Sequence, residues 1–68
     1  MIADDQELLA TLDRIMWFQR QVAQLRRAES NPVNYKAAAA GFLAEVERMQ
    51  RDVREYLSLH PAEVARAA

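Results

Sequence analysis

Sixty-eight residues, 51% of them hydrophobic and 28% charged, with a formal net charge of −1, make one small domain at most, spanning residues 1–68. A chain near this size buries only about 60% of its unfolded surface and is marginal alone, and with no cysteine neither a disulfide nor a thiolate metal site supports it. The near-neutral balance gives no global pull toward nucleic acid, and no apolar run approaches the roughly 20 residues of a membrane span.

The opening Asp4, Asp5 and Glu7 are the opposite of a basic signal-peptide start, so the chain reads as soluble and cytoplasmic. A single Gly argues against disorder, and the usual remaining route to stability for so small a chain is oligomerisation. The basic residues are Arg except for Lys36, which hints at a GC-rich bacterial genome.

Asp4 is the predicted N-cap of a first helix, and Glu7 three residues on completes a capping-box pattern with Asp in place of Ser or Thr. Acidic residues there also complement the positive end of the helix dipole. Leu8, Leu12, Ile15, Phe18, Val22 and Leu25 recur at gaps of four, three, three, four and three, one apolar face flanked by Leu9 and Met16. Arg26 and Arg27 favour the negative end, and helix is predicted from Asp5 to Ala28.

Trp17 lies nearly opposite that stripe, among Ala10, Asp13, Arg14, Gln21 and Gln24. A Trp on a polar face often marks an interface. The alternatives are a ring lying over the Arg14 or Gln21 stems, or a helix enclosed on two sides in an oligomer.

Glu29-Ser30-Asn31-Pro32 is the turn, with Pro32 at a first helical position and Asn31 as N-cap. A connection this short makes the flanking helices antiparallel neighbours, and each is predicted at about 24–26 residues, close to 37 Å.

The second helix holds the most regular pattern in the chain. Tyr35, Ala39, Phe42, Val46, Met49, Val53 and Tyr56 alternate gaps of four and three, an unbroken heptad seam. Leu43 and Leu57 widen it, with Gln50 between them. Behind it Glu47 with Arg51, Arg48 with Asp52, and Arg51 with Glu55 are spaced for ion pairs along a solvated face. The small run Ala37 to Gly41 predicts a close helix crossing, with plain helix propensity the alternative for Ala37 and Ala38 more than for Gly41. His60, before Pro61, is the predicted stop, and it can cap a short C-terminal helical extension with Pro61 first and Glu63 third.

Catalytic chemistry finds no foothold. One His, no Cys, two Ser and one Thr do not assemble a nucleophile, base and orienting group, and there is no Glu-x-x-His spacing and no Gly-rich phosphate loop. No catalytic, cofactor-binding or metal-binding residue is assigned, and no cofactor is expected.

The fold class is therefore all-α, a two-helix antiparallel hairpin forming a four-helix bundle by dimerisation. The expected function is a non-enzymatic, homo-oligomerising protein-interaction module. Its interface residues are Trp17, Phe18, Tyr35, Phe42, Leu43, Val46, Met49, Val53, Tyr56 and Leu57. The chain itself is the expected partner, with a further protein partner possible and no membrane. The alternative is a nucleic-acid-binding bundle in which Arg14, Arg20, Arg26 and Arg27, the basic cluster not interleaved with acids, touch phosphates.

The run Asn31-Pro32-Val33-Asn34-Tyr35, then Gly41-Phe42-Leu43-Ala44-Glu45 and Val53-Arg54-Glu55-Tyr56-Leu57, resembles small uncharacterised bacterial helical-hairpin proteins. It is also similar to the helical segment that precedes the helix-turn-helix domain of HigA-like antitoxin regulators. That resemblance covers most of the second helix and implies a regulator's oligomerisation or toxin-facing part, without a DNA reader. The hairpin-dimer architecture is similar to that of Rop, which implies the RNA alternative and carries over no residue.

Overall fold

In the computed structural model, which describes residues 1–63, the chain forms α1, Asp5–Ala28, and α2, Pro32–Leu57. Asp4 precedes α1 in extended backbone, and its Oδ1 accepts the Glu7 amide at 2.8 Å. Glu7 reaches back to the amide of Ala3, at 2.6 Å, and not to that of Asp4. The predicted capping box is thus formed with one arm moved outward by a residue, and two orphaned amides still find acceptors. Arg26 and Arg27 occupy the last turn, as dipole complementarity favours.

The turn is held by side chains as well as by Pro32. Asn31 Oδ1 accepts the amides of Val33 at 2.9 Å and Asn34 at 3.3 Å. Its own amide donates to Glu29 Oε1 at 3.0 Å. The chain reverses there, and α1 and α2 pack side by side as an antiparallel hairpin whose Cα trace measures 50 × 16 × 13 Å.

All seven seam residues of α2 are buried or half-buried. They face Ile15 of α1, which is buried, and Leu8, Phe18, Val22 and Leu25, which are half-buried. Leu12 departs from its predicted place. It is exposed, and Thr11 takes the inward position one residue earlier. At about 100° per residue Leu12 sits roughly 60° to one side of Ile15, too far round for the groove. The centre of the core is Ile15, Val46 and Met49, with Phe18 and Val53 against it and the Phe18 and Phe42 rings 5.6 Å apart.

Three expectations are corrected. The close crossing falls at Ala39, 1% exposed and the most buried residue described, and not at Gly41. Two residues on, Gly41 is carried about 200° round the helix, is exposed, and a Cβ added there would meet nothing within 4 Å. The helix stops at Leu57, ahead of His60. Ser58 Oγ donates to the Glu55 carbonyl at 2.6 Å and the Leu59 amide takes the Tyr56 carbonyl, tightening the last turn before Pro61 can act. The i, i+4 ion pairs along α2 are absent among the described residues. Arg48 turns back to Glu45 at 2.6 Å, and Asp52 meets the Met1 ammonium at 3.6 Å.

Beyond α2, His60 caps a new helical turn as expected: its Nδ1 accepts the Ala62 amide at 3.1 Å, and its amide donates to Glu63 Oε2 at 3.1 Å. Pro61, Ala62 and Glu63 are helical. The rest of the predicted extension lies outside the described residues.

Candidate interaction surface

A two-helix layer has two broad sides, one on each flank of the seam. Because α1 and α2 run in opposite directions, the flank of α1 carrying Leu12 lies on the same side as the flank of α2 carrying Leu43, Gln50 and Leu57. The other side carries Arg14 and Gln21 from α1 and Glu45 and Asp52 from α2.

This second side is partly closed by the chain itself. Met1–Ala3 runs back along α1, Ile2 is buried, and the segment encloses a cleft of about 260 Å³ with Glu7, Ala10, Thr11 and Arg14. The ammonium of Met1 reaches across to Asp52 of α2. Ile2 was not singled out from the sequence. An isolated apolar residue ahead of a cap carries no periodicity that would reveal it.

Among the described residues nothing covers the first side. Leu9, Leu12, Met16, Leu43 and Leu57 are 40 to 63% exposed. Large apolar side chains grouped on one side of a small protein form the kind of patch that marks an interaction surface. Leu9 and Met16 flank the α1 stripe in the sequence, but their common side with Leu43 and Leu57 becomes visible only once the hairpin closes.

The ten residues expected at an interface fall into separate places. Val46 and Met49 are consumed in the core, with Phe18 and Val53 packed on it. Phe42 meets Phe18, while Tyr35 and Tyr56 are half-buried along the seam. Leu43 and Leu57 stand on the bare side. Trp17 is 53% exposed and lies away from α2, its ring set edge-on to Phe18 at 5.1 Å.

The four arginines do not converge. Arg14 borders the cleft on the closed side. Arg20 is about 120° round the helix from it, sharing a face with Arg27 seven residues on and not with Arg26.

Electrostatic perturbation is confined to the surface. The Tyr56 hydroxyl donates to Asp5 Oδ1 at 2.6 Å. Its pKa is pushed up to about 12 by that hydrogen bond, by partial desolvation and by the carboxylates of Asp5, Asp4 and Glu7. The bond from Arg48 to Glu45 raises the guanidinium's already high value, though an exposed pair of this kind adds little stability. Among the described residues no three His, Cys, Asp or Glu side chains gather as a metal site, and no helix is long and apolar enough to cross a membrane.

No protein-family model, no curated protein and no solved structure matches this chain.

Proposed function

We propose that this chain is a non-enzymatic, homo-oligomerising helical module of the bacterial cytoplasm, two hairpins pairing into a four-helix bundle that serves protein–protein interaction. A small regulator or an antitoxin-like accessory protein is the setting this fits. The observation that carries the reading is an imbalance within the hairpin. Among the described residues only Ile2, Ile15, Ala39, Val46 and Met49 form the buried apolar core, while five large apolar side chains crowd one uncovered side. A core of that size is small for a chain that must order more than fifty residues, at about 1–2 kcal/mol of backbone entropy each. Association supplies the missing burial.

Trp17, outside both the core and the bare side, supplies a handle for a partner other than the chain itself. A Rop-like RNA role has less support, because Arg14, Arg20, Arg26 and Arg27 do not line one face.

Sedimentation of the free protein across the micromolar range tests the reading, and a dimer or larger species is expected. A monomer throughout would refute it. Salt-dependent binding to RNA hairpins, with a slope matching several phosphate contacts, would move the function to the RNA alternative. Co-purification of a toxin-like protein from the host would support the accessory role.

A further inference from the structure

Resting on the self-association proposed above, we infer that the second copy docks on the side bearing Leu9, Leu12, Met16, Leu43 and Leu57.

The choice of side follows from what the chain already covers. Met1–Ala3 lies along the opposite side, buries Ile2 and reaches Asp52, so a copy docking there would have to displace it. The bare side needs no rearrangement. The hairpin's long face, 50 by 16 Å, matches the roughly 800 Å² that each partner contributes to a stable interface.

One comparison decides it. The double variant Leu9→Lys/Met16→Lys is expected to raise the dimer dissociation constant at least about 100-fold, because two apolar contacts buried by the second copy become charges. Its helical circular dichroism should persist, since both side chains are exposed and Leu9→Lys gains Asp5 and Asp13 four residues away on either side. Trp17→Ala, on another face, should leave the constant within about 3-fold. If the wild type is monomeric, the self-association reading and this one fall together. A dimer that survives the double variant, or is lost in Trp17→Ala, overturns the docking side alone.

Discussion

Tyr56 and Asp5 are joined by a 2.6 Å hydrogen bond across 51 residues of chain, tying the last turn of α2 to the first turn of α1. It closes the open end of the hairpin, where no loop connects the helices. The phenol holds its proton more tightly when folded, up to about 12 against the ordinary 10.0. A raised phenolic pKa means that the contribution to stability is complete below pH 10 and is lost as pH rises from 10 toward 12. Denaturant midpoints of the wild type should fall across that window. Tyr56→Phe should start lower at pH 8 and show a smaller further loss than the wild type. If the gap between the two proteins stays constant from pH 8 to 12, the bond does not form in solution.

Gly41 is the least suited residue in α2 by helix propensity, and its surroundings offer no compensation. A side chain there would enter open space. Gly41→Ala should therefore stabilise the protein by about 0.5–1 kcal/mol, from lower chain entropy in the unfolded state and better propensity. The measurement is a urea midpoint. Destabilisation would mean that Gly41 is covered by another molecule in the working assembly, restoring the close-approach role expected from the Ala37–Gly41 run.

Asn31 carries the turn almost alone. Its side chain satisfies two amides of α2, and its amide is held by Glu29. Asn31→Ala should cost about 0.5–2 kcal/mol, while Asn31→Asp or Asn31→Ser should retain most of the stability. Equal losses in all three would show that the closed turn depends on Pro32 and on helix packing, and not on the cap.

The parts that were legible in the sequence are those in which a single residue type or spacing has only one good use. The seam from Tyr35 to Tyr56 could face only a helix, and each of its residues does turn inward. Asp4, Asn31 and Pro32 could serve only at helix starts, and they fix the bounds of both elements. Ala39 and Gly41 show where this kind of reading stops. Both are small, and only the phase of the helix decides which one meets α1. The charges of α2 were illegible for another reason. Arg48 has Glu45 three residues before it and Asp52 four residues after it, and an exposed pair is worth too little for spacing to choose. The bare side was hidden because it is assembled from two stretches. Leu9 and Met16 look like ordinary flanking residues until α2 brings Leu43 and Leu57 beside them, and until Met1–Ala3 covers the other side.

Met49 and Leu43 separate the two kinds of apolar surface. Met49 is buried against Ile15 and Val46, whereas Leu43, six residues before it, points to solvent from the same helix. Met49→Ala should cost about 2–5 kcal/mol, transfer and cavity together. That is comparable to everything a core of this size supplies. The variant should lose its cooperative melt at 25 °C at any concentration where the wild type still shows one. Leu43→Ala removes a side chain that the lone hairpin only half covers. At low micromolar protein its melting temperature should stay close to the wild-type value, and the difference should grow with concentration as the wild type gains from association and the variant gains less. The pair is read by thermal melts at three protein concentrations. Loss of equal size in both variants, independent of concentration, would mean that Leu43 belongs to the hairpin's own core and that the uncovered side is narrower than its exposed leucines suggest.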